Sequence, residues 1–365
     1  MATKYDRVYN YNAGPAAVPL EVLEKVNEQW FNFQGAGMNV MEMSHRSKEF
    51  DKIHNDTIDR VKQLLNLGDD FHVLLVQGGA STQFAMIPMN FLGEGDVADY
   101  INTGTWSTKA IKEAKLFGDV NVAYEGKDVD FMHLPTQDEL KFTDGARYVH
   151  LTSNNTIKGT QFRTFPNTNG VPMVMDMSSD IMSHPMDCSP FGMIYAGAQK
   201  NLGPSGVTLV ILRKDFAATA NEAVTSMLKY QTHIDKNSLY NTPPTFSIYL
   251  MGEVLQWIMD NGGLEGMEAR NQKKADMLYG FFNEYPDYFK CPVEEASRSY
   301  MNVCFRLPSE DLEGKMIAEA TRNGFIGMKG HRSVGGLRIS MYNATSPESI
   351  EAVIAFMKDF MTKNG

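Results

Sequence analysis

Lys200 stands in a run of small residues, Ala196-Gly197-Ala198-Gln199-Lys200-Asn201-Leu202-Gly203-Pro204-Ser205-Gly206, and upstream Asp176 closes the apolar run Val171-Pro172-Met173-Val174-Met175. The glycines and Pro204 read as tight turns, and the β-branched run 207–212 that follows reads as a buried strand. A lysine held on such a turn against a sheet is poorly hydrated and loses its proton readily, and a free amine can form a Schiff base with a carbonyl. A Gly/Lys turn on its own is more often a solvated loop. The strand-end carboxylate changes the weighing: pyridoxal phosphate needs a lysine for its aldehyde and an acid that keeps its ring nitrogen protonated. The pair predicts such a cofactor, with Lys200 as its anchor.

Other stretches carry chemistry less specifically. The strand-like run 71–76 leads into Gln77-Gly78-Gly79-Ala80-Ser81-Thr82-Gln83 and a helix over 84–91. Strand, two glycines, hydroxyl residues and helix can build a phosphate site from free N–H groups and the positive end of the helix dipole. It matches neither the Gly-rich Lys-Ser/Thr loop nor the dinucleotide fingerprint, and an ordinary strand-to-helix turn fits equally well. Trp106 follows the strand 97–101 at a second such turn, either as a core tryptophan or as an aromatic face for a flat ring. Thr152-Ser153-Asn154-Asn155-Thr156 follows the strand 147–151 as a polar turn. His45-Arg46 lies in the loop entering a helix with Phe50, Ile53, Ile58, Val61 and Leu65 on one face, closed by Gly68. Taken alone, that pair reads as a capping loop with an exposed arginine.

These residues need a frame to hold them. Strands alternate with helices as far as Leu212, including a short strand at Ile194-Tyr195, which predicts a mostly parallel, helix-flanked sheet with its site at the strands' C-terminal ends. Beyond it, Asn241-Thr242-Pro243-Pro244-Thr245 precedes a long helix, a second helix runs towards Tyr285, and strands at 302–307 and 337–341 alternate with helices at 311–322 and 347–363. The expected class is α/β, with a large cofactor-binding domain over 16–260 and a smaller α/β domain formed by 1–15 and 261–365. The chain has 365 residues, 43% hydrophobic and 21% charged, which suits a folded soluble protein. A net charge of -10 with no basic run argues against nucleic acid as a partner. No run approaches a membrane span, and no leader is visible behind Met1 to Arg7. Three cysteines, Cys188, Cys291 and Cys304, make neither a disulfide framework nor a metal-ligand spacing. A reducing, cytoplasmic home is expected.

The chain resembles, end to end, the phosphoserine aminotransferase family of fold-type I, class V pyridoxal-phosphate enzymes. The motifs that carry the likeness are Asn-Ala-Gly-Pro-Ala at 12–16, Ser-His-Arg-Ser-Lys-Glu-Phe at 44–50, Gln-Gly-Gly-Ala-Ser-Thr-Gln-Phe at 77–84 and Thr-Gly-Thr-Trp-Ser at 103–107. They continue with Ser-Asn-Asn-Thr-Ile at 153–157, the lysine segment 196–206, Tyr-Asn-Thr-Pro-Pro-Thr at 240–245 and Gly-His-Arg-Ser-Val-Gly-Gly-Leu-Arg at 330–338. The lysine segment indicates the superfamily, and the two His-Arg pairs indicate the family. The resemblance implies that Lys200 holds the cofactor and moves the substrate proton, that Asp176 pairs with the ring nitrogen, that Trp106 stacks on the ring and that Thr156 bonds its hydroxyl. It implies Ala80, Ser81 and Gln199 at the cofactor phosphate, joined by Asn241 and Thr242 from a neighbouring subunit of a homodimer. Arg338 would grip the α-carboxylate, and His45, Arg46, His331 and Arg332 the distal phosphate or carboxylate. Some members carry an arginine where this chain has Ser81, which leaves the distal anion to the His-Arg pairs. The expected reaction exchanges the amino group between O-phosphoserine and 2-oxoglutarate in two half-reactions, as in serine biosynthesis. The nearest alternatives are an alanine–glyoxylate aminotransferase or a cysteine desulfurase on the same fold. A cofactor-bound protein without turnover is a third.

Overall fold

The computed structural model describes residues 4–365; Met1 to Thr3, which belong to the 1–15 segment assigned to the smaller domain and to the stretch read as lacking a leader, lie outside the described residues. A seven-stranded sheet forms the frame: Phe71–Val76 (β1), Val97–Asn102 (β2), Asp119–Glu125 (β3), Val149–Thr152 (β4), Met173–Asp176 (β5), Phe191–Gly197 (β6) and Thr208–Arg213 (β7). Their order across the sheet is β1-β7-β6-β5-β4-β2-β3. The pairs β2–β3, β2–β4, β4–β5 and β5–β6 are parallel, and β7 runs antiparallel to both its neighbours. Sheets of this kind are covered on both faces, so their strands read as near-continuous apolar runs. The period of two survives inside those runs. Val73, Leu75, Met175, Ile194, Ala196, Leu209 and Ile211 enter one hydrophobic core, while Leu74, Val76, Val174, Met193, Tyr195, Val210 and Leu212 enter the other.

Helices α1 (Leu20–Glu28), α2 (Lys48–Leu64), α3 (Gly79–Phe91), α4 (Thr105–Ala114) and α5 (Thr245–Asp260) cover these faces. α2 is capped by the Ser47 hydroxyl, which accepts from the Phe50 N–H. A third cluster gathers Tyr11 with residues of α6 (Gly263–Glu284), the strands Asn302–Phe305 (β8) and Leu337–Ser340 (β9), α7 (Glu310–Arg322) and α8 (Pro347–Asn364). β8 and β9 pair antiparallel with Cys304 opposite Arg338. Tyr9–Asn10 runs parallel to Phe325–Ile326, which fastens the N-terminal segment to this cluster. No helix is long and apolar enough to cross a membrane among the described residues.

Four local expectations are corrected. α3 begins at Gly79 rather than 84, so Ala80 and Ser81 lie in its first turn; the low helix propensity of Gly, Ser and Thr hid that turn. The strand at Ile194-Tyr195 is seven residues long and buried throughout, a central position whose packing overrides the weak strand propensity of its glycines and alanine. α2 stops at Leu64, and Asn66 at φ 49°, not Gly68, takes the left-handed position after it. The spacing of Leu20, Leu23, Val26 and Trp30 after Pro19 predicts one helix face carrying all four, but Trp30 lies beyond the end of α1.

Candidate active site

Parallel strands that start together end together, and β2, β4, β5 and β6 deliver Asn102, Thr152, Asp176 and Gly197 to one edge of the sheet. The turn after β6 carries Lys200, partly accessible in the cleft. Its Nζ donates to Thr156 Oγ1 at 3.3 Å and stands 5.4 Å from the Trp106 ring centroid. Trp106, in the first turn of α4, donates from Nε1 to the same Thr156 Oγ1 at 3.0 Å. Burial pulls the Lys200 ammonium below its ordinary pKa, Asp176 opposes that shift, and Arg338 adds to it. Gly14 lies so close that a Cβ there would stand 3.1 Å from Lys200 Cγ.

Asp176 is 5% exposed. Its Oδ1 accepts from the Ser178 N–H at 2.9 Å and the Ser178 hydroxyl at 2.6 Å, which fixes the plane of the carboxylate. Among the described residues Oδ2 makes no hydrogen bond. Burial raises its pKa, while Lys200 and the two Ser178 bonds hold it down.

Arg338 reaches across from β9, where Nη1 donates to the Thr156 carbonyl at 2.7 Å. Its Nε is buried without a partner among the described residues. His331 and Arg332 stand in the loop before β9, with His331 Nδ1 paired to the Ser333 hydroxyl at 2.7 Å. Burial lowers the His331 pKa, and the positive charges of Arg338, Arg332 and Lys109 lower it further. Lys109 is a residue that sequence reasoning missed: its Nζ lies 4.8 Å from the Trp106 centroid. The signal was present, since positions three apart share a helix face.

The turn between β1 and α3 is open. Gly78 caps α3 at φ +97° with no side-chain hydrogen bond, so the N–H groups of the first turn around Ala80 and Ser81 have no side-chain cap. Gln199 lies beside Lys200, its carbonyl accepting from the Ala16 N–H at 2.9 Å. Asn241 and Thr242 lie against their own chain: Asn241 Nδ2 donates to Gln77 Oε1 at 3.2 Å, and Gln77 Nε2 donates to the Thr242 carbonyl at 3.0 Å. His45 and Arg46 do not join the cluster within one chain. They sit in the loop before α2, where the Arg46 N–H meets the Ser44 hydroxyl and the arginine side chain is exposed.

The donor set fits pyridoxal phosphate. Asp176 offers a free oxygen for a ring N–H, Thr156 a hydroxyl, Trp106 an aromatic face, and α3 an uncapped N-terminus for a phosphate. The orphaned Arg338 Nε and the adjacent Nη set offer a two-point contact to a carboxylate.

Residues 8–353 match the family model described as aminotransferase class-V. A phosphoserine aminotransferase of Desulfatibacillum aliphaticivorans is 56% identical over 362 residues, covering 99% of both chains. The solved phosphoserine aminotransferase from Bacillus circulans subsp. alkalophilus superposes with a TM-score of 0.97 at 51% identity, over 99% of this chain and 100% of that one. A pyridoxal-phosphate-bound phosphoserine aminotransferase from Trichomonas vaginalis matches with a TM-score of 0.91 at 37% identity, over 96% of this chain and 100% of that one.

Proposed function

The chain belongs to the class-V aminotransferases, and from that premise we propose that it is a pyridoxal-phosphate-dependent phosphoserine transaminase of serine biosynthesis. The single observation that carries the reading is the meeting of Lys200, Asp176, Thr156 and Trp106 with Arg338 in one cleft. When bound, the cofactor accepts the amino group of one substrate and passes it to the next, holding the electrons released when the α-proton leaves.

The protein's part is to bind, orient and move protons. Lys200 is the anchor, and its lowered pKa would let it act as the base that takes and hands on the substrate α-proton. Asp176 holds the ring nitrogen protonated with the oxygen that Ser178 leaves free. Trp106 fixes the ring plane, and Thr156 bonds the ring hydroxyl. Ala80, Ser81 and Gln199 hold the phosphate at the α3 terminus. Arg338, held on the same Thr156 that Lys200 touches, would bind the α-carboxylate beside Lys200. His331 and Arg332, with His45 and Arg46, serve the distal anion.

His45 and Arg46 do not reach the cleft in their own chain, which favours a homodimer that supplies them, with Asn241 and Thr242, from a partner. The apolar side chains beside that loop support this: Phe31 is 86% exposed and Met41 54%. The division into a cofactor domain (16–260) and a smaller domain (1–15 with 261–365) is supported by the separate hydrophobic cluster around α6 and α8. Three unpaired cysteines favour the cytoplasm.

A desulfurase reading fails on its nucleophile. Burial pushes the Cys304 thiol up to about 12, and it donates to the Ile157 carbonyl; Cys188 is raised to about 12 as well, and Cys291 is raised. None is a ready thiolate. The test is direct: incubate the protein with 2-oxoglutarate and either O-phosphoserine or alanine, and measure glutamate. Rapid glutamate formation from O-phosphoserine is expected. Transfer from alanine with none from O-phosphoserine would overturn the reading in favour of an alanine-specific enzyme.

A further inference from the structure

A second carboxyl lies behind Asp176. Asp180, 1% exposed, has no charged partner within hydrogen-bonding distance among the described residues. Its Oδ1 is paired with the Ser153 hydroxyl, and its Oδ2 accepts from Gln161 Nε2 at 3.1 Å. Ser153 and Gln161 are each 1% exposed, so the set is shut away from the surface.

The hydrogens around Ser153 can be counted. Its hydroxyl lies within bonding distance of both Asp180 Oδ1 and the Asp176 carbonyl oxygen, the latter at 3.1 Å. A serine has one hydroxyl proton to donate. If Asp180 were ionised, it would take that proton and leave the Asp176 carbonyl with the Ser153 N–H alone, and a buried charge would stand with two neutral donors and no cation. If Asp180 carries a proton, it donates to Ser153 Oγ, Ser153 donates to the Asp176 carbonyl, and every atom is satisfied. The Ser153 N–H donates to that same carbonyl at 3.0 Å, so two bonds hold the end of β5. On the far side, Gln161 Oε1 accepts from the Tyr300 N–H at 2.9 Å, just before β8, the strand paired with Arg338's own.

We propose that Asp180 is a positioning residue of the active site: as a neutral carboxylic acid it fixes the backbone of Asp176 through Ser153 and ties it, through Gln161, to the segment that leads into the Arg338 hairpin. It touches no reacting atom. The proposal rests on Asp176 and Lys200 being the cofactor-binding pair. A residue in this role explains a carboxyl with no cation to pair with, and it gives the Asp176 end of β5 and the arginine's hairpin one shared anchor. Burial, with the hydrogen bonds from Ser153 and Gln161 opposing it, the charge on Asp176 adding to it and Lys200 countering, leaves the Asp180 pKa raised to about 7. Tyr342, after β9, is the other titratable group that feels its charge.

The sign of the pH effect follows. An acid with a folded pKa of about 7, against 3.8 unfolded, binds an extra proton in the native state between those values. Stability is therefore lost as pH rises through that window. Asp180→Asn mimics the neutral acid and removes the titration. The first measurement is the thermal midpoint of the cofactor-free full chain from pH 5 to 7.5. The variant-minus-wild-type difference should grow steadily with pH; a constant difference would overturn the proposal. The second is cofactor affinity at pH 6.5, read from quenching of tryptophan fluorescence. Asp180→Asn should bind within about threefold of wild type, whereas Asp180→Ala and Ser153→Ala should each lose about tenfold or more, the worth of one buried hydrogen bond. An Asn variant as weak as the Ala variant would show that an ionised carboxylate is needed, and so contradict the proposal. If no form bound the cofactor, the functional reading would fall, while the pH-dependent difference would still decide whether Asp180 is held neutral. Should Asp180→Ala not fold, Ser153→Ala and Asp180→Asn still decide.

Discussion

Arg338 shows how one side chain divides its duties. Nη1 is spent on the Thr156 carbonyl, which aims the guanidinium, and Nε is left buried and unpaired among the described residues. A buried donor without a partner is costly, and a carboxylate that completes it regains that cost on binding. Arg338→Lys keeps the charge and loses the planar two-point contact. It should raise KM for glutamate and O-phosphoserine together by about tenfold or more; steady-state kinetics with both donors check this, and an unchanged KM would contradict it. The distal cations should behave differently. Arg332→Ala and Arg46→Ala should each weaken O-phosphoserine and glutamate by about ten- to a hundredfold and leave alanine turnover almost unchanged, since each removes hydrogen bonds worth roughly 1.5–3 kcal/mol to a charged group. Equal losses for alanine would assign these arginines to structure. Burial and its cationic neighbours lower the His331 pKa, and a dianion bound beside it would oppose that shift.

At the scale of elements, the turn into α3 depends on Gly78. It sits at φ +97°, and a Cβ there would come 2.1 Å from Thr82 Oγ1. Gly78→Ala should lose roughly 1–3 kcal/mol of stability and weaken cofactor retention. Gly280 is the control: it lies inside α6 with nothing within 4 Å of a Cβ. Gly280→Ala should gain about 0.5–1 kcal/mol, because alanine loses less backbone entropy in a helix. Denaturant melts of the two variants test the contrast. These elements also mark what could be read in advance. The sheet strands were legible because apolar runs bounded by turn residues are the signature of a doubly covered sheet. Asp176 stood out because it ends a strand, and Lys200 because it sits in the small-residue turn that follows one. The start of α3 was not legible, because its first turn is made of residues with poor helix propensity. Asp180 gave no signal either: its role comes from Ser153 and Gln161, which chain folding alone brings beside it.

On the scale of the whole molecule, two contacts outside the cleft bear on function. His133 joins Glu139 at 3.0 Å to Glu294 at 2.5 Å, linking the excursion after β3 to the segment before β8. Hydrogen bonds to Glu139 and Glu294 raise the His133 pKa, and the Glu139 carboxyl falls to about 2. The histidine's contribution is complete below its unfolded value of about 6.5 and is lost as pH rises through the higher folded value. His133→Ala should therefore flatten whatever decline in thermal midpoint the wild type shows above pH 6.5; an identical slope would remove His133 from the clasp. The second contact is the exposed apolar stretch around Phe31 and Met41, beside Arg46. Sedimentation at low concentration should find a dimer, and a fully active monomer would sink the shared site.

The central claim is that Lys200 and no other lysine anchors the cofactor beside Asp176. Its most direct test is to reduce the holoenzyme with borohydride, digest it, and locate the cofactor-bearing peptide by mass. The account predicts that the label sits on Lys200 and that Lys200→Ala takes up none. A label on Lys109, which shares the Trp106 ring, or on any other lysine would contradict it.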